Sequence, residues 1–288
     1  MPRVTINDVG IYYEVTGQGF PLVLCHEFAG DYQSWHTQVR YFSRRYQVIT
    51  YNARGYPPSD VPTQLEAYSQ EQAVEDLHGL LLHLRIDQAY VAGLSMGGSV
   101  ALNFGFSHPE VAKALVVAGT GTGSANPEEF RREVAALADR FESEGMEVMA
   151  EEYARGRTRL PFLRKDPRGW EEFKTMLADH SPLGSALTFR GVQGKRPSVF
   201  DQQTQLRGLT VPTLILCGDE DEPCIDASVF MKRSIPSAGL MMLPQTGHTL
   251  NLEEPDLFNR AVMDFLAAVE EGTWAQRDVK SETGYLLR

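Results

Sequence analysis

Apolar runs of strand length alternate with apolar positions at helical spacing along most of the chain. Residues 21–25 and 89–92 are continuously apolar, as in strands buried on both faces of a sheet. In other segments the spacing is helical, as at Leu77 and Leu81 behind a capping Ser69. This alternation predicts the α/β class, with a mainly parallel sheet and helices on both faces. The predicted strands cover residues 4–6, 11–16, 21–25, 48–51, 89–92, 114–118, 211–217 and 240–243.

The pattern changes between residues 120 and 209, where no strand-like run occurs. Asn126 and Pro127 form a strong helix start, with a capping side chain followed by proline at the first helical position. The positions that follow are helical and mixed in polarity. We therefore predict a core formed by residues 1–119 and 210–288, with residues 120–209 inserted as a helical cap over the carboxyl end of the sheet.

The segment Gly93-Leu94-Ser95-Met96-Gly97 joins a predicted strand directly to a predicted helix. A serine on so sharp a turn needs small neighbours two positions away, because larger side chains collide across the turn. The amide of Met96 then lies at a helix N-terminus, which favours a developing negative charge. The pattern therefore predicts Ser95 as a nucleophile.

Composition narrows the choice of partners. The net charge is −11 and no Lys/Arg-rich run is present, so we expect neither a nucleic-acid nor a membrane partner. We find no signal-peptide pattern and no apolar run of membrane-spanning length, and therefore expect a soluble, cytoplasmic protein. Cys25, Cys217 and Cys224 have no metal-ligand spacing, so we expect no metal and no cofactor.

A serine hydroxyl needs a base to accept its proton and a carboxylate to orient that base. Of the seven histidines, His248 is the one in a loop directly after a late strand, whereas His26 follows a strand too early in the chain. The chain order Ser, Asp, His then favours His248 as the base.

The elbow 93–97, the closing segment 247–255 and the loop 52–60 together resemble the α/β-hydrolase superfamily, in its branch of cap-bearing serine esterases, lactonases and carbon–carbon bond hydrolases. The resemblance implies an α/β-hydrolase fold with an eight-stranded sheet. It also implies that Asp221 is the acid of the triad, with Asp219 as the rival. The amides of Phe28 and Met96 would form the oxyanion hole.

Three positions depart from the family pattern: Asn52, Pro57 and Glu27. Glu27 stands where the family has a glycine beside the oxyanion hole. One interpretation is that its side chain faces solvent or pairs with an arginine such as Arg54. The other is that it holds a substrate group or a water molecule.

Aromatic residues and methionines of the cap favour an apolar substrate, and the sequence indicates no arginine pair fixed near the serine. The predicted function is hydrolysis of a small-molecule carboxylic ester or lactone. A carbon–carbon bond hydrolase, a perhydrolase and a ligand-binding receptor remain alternatives, and a homodimer stays open beside a monomer. The candidates for substrate binding are Glu27, Phe130, Met149, Tyr153, Phe173 and Met176.

Overall fold

The computed structural model describes residues 2–277, and its strands form one eight-stranded sheet in the order β1-β2-β4-β3-β5-β6-β7-β8. The first two strands pair antiparallel, β2 is antiparallel to β4, and every later pairing is parallel. The predicted fold class is therefore confirmed. The strands are β1 (Arg3–Ile6), β2 (Val9–Thr16), β3 (Pro21–Cys25), β4 (Gln47–Tyr51), β5 (Ala89–Leu94), β6 (Ala112–Ala118), β7 (Thr213–Gly218) and β8 (Ala238–Leu243).

Helices cover both faces of this sheet. Along β5, Val91 packs into one apolar core while Tyr90 and Ala92 pack into the other, as strand alternation requires. The first core includes residues of α2 (Gln70–His83), α3 (Met96–Ser107) and α10 (Glu222–Ser234). The second includes residues of α1 (His36–Phe42), α11 (Leu250–Glu253) and α12 (Pro255–Glu270).

The segment between β6 and β7 is helical, and its helices pack on the ends of the parallel strands. A third apolar core joins it to Phe28, Tyr56 and Met96, which follow the carboxyl ends of β3, β4 and β5. This segment, residues 120–209, is called the cap below. Its helices are α4 (Pro127–Glu144), α5 (Met146–Ala154), α6 (Leu160–Lys165), α7 (Pro167–Ala178), α8 (Pro182–Thr188) and α9 (Gln203–Gly208).

Seven of the eight predicted strands differ from the observed ones by one or two residues at an end, and one predicted helix is shorter than expected. The spacing of Trp35, Val39 and Phe42 predicts a helix over about 32–45. Instead Tyr32–Trp35 is a 3-10 turn, and α1 covers only His36–Phe42. The Asp31 side chain caps that turn by accepting the Gln33 N–H at 2.7 Å. Likewise β7 begins at Thr213 rather than 211, since Pro212 has no N–H to donate to the sheet.

Within residues 2–277, no helix has the length and apolar character needed to cross a bilayer. Residues 278–288 of the predicted core lie outside the described residues.

Candidate active site

Ser95 lies at the junction of β5 and α3 in a strained backbone conformation, with φ 55° and ψ −110°. The turn leaves no room for side chains on either flank. A Cβ on Gly93 would lie 2.0 Å from the Gly97 carbonyl oxygen, and one on Gly97 would lie 2.0 Å from the Cys25 carbonyl oxygen. The Ser95 N–H donates to the Ala118 carbonyl at 2.8 Å, which ties the turn to β6. The elbow geometry expected from the sequence is therefore present.

His248 and Asp221 lie side by side at the ends of the last two strands. The imidazole Nδ1 is 2.8 Å from Asp221 Oδ2, and Asp221 is fully buried. Burial alone would raise the pKa of Asp221, but attraction to the adjacent His248 outweighs it and keeps that pKa below its usual range. The rival Asp219 is exposed and accepts the Thr246 N–H instead. Of the two carboxylates, Asp221 is the one beside the histidine.

The two predicted oxyanion-hole amides lie where β3 and β5 end. Met96 is the first residue of α3, where an amide has no acceptor within its own helix. Within residues 2–277 the Phe28 N–H donates no hydrogen bond. The Phe28 ring stacks on Phe189 of the cap with ring centroids 3.9 Å apart, which fixes the loop that carries its amide.

Glu27 forms a buried ion pair with Arg159 of the cap. Arg159 donates from Nη1 to Oε1 at 2.8 Å and from Nη2 to Oε2 at 2.5 Å. Burial would raise the pKa of Glu27, but the guanidinium holds it below its usual range. Glu27 therefore pairs with an arginine, as the first interpretation expected, but it does not face solvent and its partner is not Arg54. Arg54 is bound to Asp76 in a second buried pair.

The short 3-10 helix Arg157–Arg159 of the cap contacts both catalytic loops predicted from the sequence. Through Arg159 it holds the loop that carries Glu27 and Phe28. The carbonyl of Thr158, one residue earlier, accepts the backbone N–H of His248 at 2.9 Å. One turn of the cap therefore positions the histidine loop and the predicted oxyanion loop together.

A cavity of about 240 Å³ lies between the cap and the strand ends, and Ser95, His248 and Asp221 all contribute to its wall. Its apolar wall includes Phe28, Leu137 and Phe189. The predicted substrate-binding residues that line it are Phe130, Met149 and Tyr153.

The other three candidates do not line this cavity. Glu27 is buried against Arg159. Phe173 and Met176 line a separate surface groove, and the Phe173 ring lies under the Arg159 guanidinium at 5.1 Å. Their helical spacing reflects packing of α7, because Phe173 also contacts Phe162 of α6.

Sequence reasoning missed the polar groups of the cavity. Arg159 and Arg196 both line it beside Ser95, whereas no arginine pair near the serine was expected. Gln193 lines it too. These residues occur in the cap among many other charged and polar ones. No motif or spacing distinguishes them, since only the packing of the cap brings them to Ser95.

Two groups of potential metal ligands occur among residues 2–277. Glu75, His78 and His108 form one at the surface, and Asp221, Cys224 and His248 form the other. In the second group, burial raises the pKa of the Cys224 thiol well above its ordinary value. Metals bind the thiolate, so the protonated thiol is a poor ligand there.

Comparison with known proteins agrees with this architecture. A family model described as the alpha/beta hydrolase fold matches residues 21–255. The chain is 27% identical to a putative 2-succinyl-6-hydroxy-2,4-cyclohexadiene-1-carboxylate synthase of Bacillus subtilis, over 93% of this chain and 98% of that protein. It is 28% identical to 3-oxoadipate enol-lactonase 2 of Acinetobacter baylyi, over 90% and 94% of the two chains.

Among solved structures, a thermophilic esterase from Thermogutta terrifontis superposes with a TM-score of 0.81 at 29% identity. The match covers 93% of this chain and 98% of the esterase. The eight-stranded sheet order, the serine elbow and the family-model match lead to one conclusion. The chain belongs to the family of the α/β hydrolase fold.

Proposed function

We propose that this protein is a serine hydrolase that cleaves a carboxylic ester or lactone through an acyl-enzyme intermediate. The observation that carries the proposal is the strained Ser95 on the wall of the cavity that also contains the His248–Asp221 pair. Two relatives support it by their names, one a lactonase and the other an esterase.

In the proposed reaction His248 accepts the hydroxyl proton of Ser95 as its Oγ attacks the substrate carbonyl carbon. Since Nδ1 bonds Asp221, Nε2 is the nitrogen left for this transfer. The amides of Phe28 and Met96 donate to the carbonyl oxygen as it becomes negative.

Collapse of the tetrahedral intermediate breaks the ester bond, and the leaving alkoxide takes the proton from His248. A lactone keeps that alcohol tethered to the acyl group. Water, deprotonated by His248, then attacks the acyl-enzyme and releases the acid and free Ser95. Asp221 orients the imidazole and stabilises its protonated form during both acylation and deacylation.

A panel of alkyl esters and lactones, assayed by proton release, tests the proposal. The wild-type protein is expected to turn over some of them, and Ser95→Ala to lose nearly all of that activity while keeping its fold. Turnover that persists in Ser95→Ala would rule out the serine mechanism.

A further inference from the structure

Arg196 brings an uncompensated positive charge to the cavity. Its Nη1 donates to Ser99 Oγ at 3.3 Å and its Nη2 to the Thr122 carbonyl at 2.9 Å. Ser99 lies one turn along α3 from Ser95, whose carbonyl accepts the Ser99 N–H. The guanidinium is therefore held close to the predicted nucleophile. Among residues 2–277, no carboxylate lies within 4 Å of it.

The other charged groups on the cavity wall have their own counter-charges. Glu27 neutralises Arg159, Arg140 binds Glu152, and His248 is bonded to Asp221. A guanidinium has five N–H donors, and Arg196 gives one from each of two nitrogens to neutral acceptors. Donors therefore remain for an anion that enters the cavity.

Gln193 gives a second, independent indication of a ligand. The residue is 5% exposed and lines the same cavity, yet its amide oxygen has no hydrogen-bond partner among the described residues. Buried amides are normally satisfied, and a 180° turn of the amide exchanges its oxygen and nitrogen. With its nitrogen turned to the cavity, the amide can donate a hydrogen bond to an acceptor bound at Arg196.

We propose that Arg196 and Gln193 form a subsite for a carboxylate of the substrate, so that the ester or lactone cleaved at Ser95 carries a second, free carboxylate. The inference rests on the proposed function and names its substrate class. The planar guanidinium fork matches a carboxylate. In the part of the chain that the structure describes, Arg196 is the one arginine of the cavity without a carboxylate partner. A single positive charge among the rings of Phe28, Phe130 and Phe189 suits a monoanion rather than a phosphate dianion.

The electrostatics agree with this assignment. Burial lowers the pKa of Arg196 to about 10, so the group is still charged at neutral pH but is poorly solvated. A buried charge is costly until it is paired. A substrate carboxylate supplies the missing counter-charge, and Arg196 also lies over the Phe130 ring at 5.5 Å, which fixes its direction.

Matched ester pairs test the subsite. Monomethyl adipate and methyl hexanoate differ only in a terminal carboxylate or methyl group, as do monomethyl glutarate and methyl pentanoate. Wild type is expected to favour the charged ester in kcat/KM by about 10-fold or more, the effect of a hydrogen-bonded charge. Arg196→Gln is expected to abolish that preference and Arg196→Lys to keep part of it. The control Arg190→Gln alters a guanidinium that is already paired with Asp139 and Glu142 and should leave the preference unchanged.

A binding measurement separates this inference from the proposed mechanism. In the Ser95→Ala background, which is expected not to cleave the esters, calorimetry is expected to show binding of monomethyl adipate that methyl hexanoate does not match and that Arg196→Gln removes. This result supports the subsite whether or not the esters turn over. An equal preference in wild type and Arg196→Gln, with equal binding of monomethyl adipate, would overturn the subsite and leave the serine mechanism intact.

Discussion

At the residue scale, Ser95 has a strained backbone conformation that the flanking glycines in the sequence predict. A non-glycine residue with positive φ costs about 1–3 kcal/mol, which the surrounding structure must outweigh. The sequence reveals this site because the turn admits only glycine at positions 93 and 97. No sequence pattern identifies Arg159 and Arg196 as cavity residues, because their role depends on which charged groups the fold places next to them.

The two rival carboxylates give a paired prediction. Asp221→Asn is expected to lower kcat by about 10³- to 10⁴-fold, because the amide no longer stabilises the protonated His248 or fixes its tautomer. Asp219→Asn should cost little, since an amide oxygen still accepts the Thr246 N–H. Steady-state kinetics on one ester, with circular dichroism to check the fold, measure both. A larger loss in Asp219→Asn would reverse the assignment.

At the element scale, the 3-10 helix Arg157–Arg159 links the cap to the sheet. Helix boundaries such as those of α12, Pro255–Glu270, follow from the sequence because proline and apolar spacing mark them. The contact between Arg159 and Glu27 joins residues 132 positions apart. Local patterns contain no information on such a pair, and sequence reasoning accordingly named the wrong arginine.

Because Glu27 and Arg159 form a buried ion pair, we expect their contributions to the free energy of unfolding to be strongly coupled. Arg159→Met leaves a carboxylate buried without its partner and is expected to destabilise the fold by about 3–5 kcal/mol. Adding Glu27→Gln should restore part of that loss, which urea unfolding of the two single variants and the double variant measures as a double-mutant cycle.

The pair Arg164 and Glu220 is a matched control, since it also joins the cap to the core but is solvent exposed. Its coupling is expected to be far weaker than that of the buried pair. Additive effects in the Glu27–Arg159 cycle would show that the buried pair does not hold the cap to the predicted oxyanion loop.

At the scale of the whole molecule, sequence periodicity predicts the layers but not the chemistry of the cavity. The parallel sheet follows from alternating strands and helices, and the cap from the missing strands between 120 and 209. The predicted apolar pocket is only partly right. Phe130, Met149 and Tyr153 line the cavity with two arginines and a glutamine, because helix packing in the cap decides which faces meet Ser95.

The pH dependence of the free energy of unfolding reports on a buried histidine of the cap, His180. Both ring nitrogens of His180 are buried without a partner among the described residues, and burial lowers its pKa from about 6.5 to about 3. Between those values the unfolded chain binds more protons than the native state. The free energy of unfolding therefore falls as pH drops below 6.5, by up to about 1.4 kcal/mol per pH unit.

The variant His180→Phe, which keeps a ring against Tyr56, is expected to show a shallower loss of stability between pH 7 and pH 5. Urea unfolding at each pH measures the slope. The exposed His36→Phe serves as a control and should keep the wild-type slope. Equal slopes in His180→Phe and wild type would mean that His180 is protonated as easily in the folded protein as in the unfolded chain.

The most direct test of the account is covalent labelling of Ser95 by a fluorophosphonate, followed by intact-protein mass. The account predicts a single phosphonyl adduct on the wild-type protein and none on Ser95→Ala, because the reagent reacts with a serine that is activated by a base and faces an oxyanion hole. Unlabelled wild-type protein, or an adduct that persists in Ser95→Ala, would contradict the assignment of Ser95 as the nucleophile.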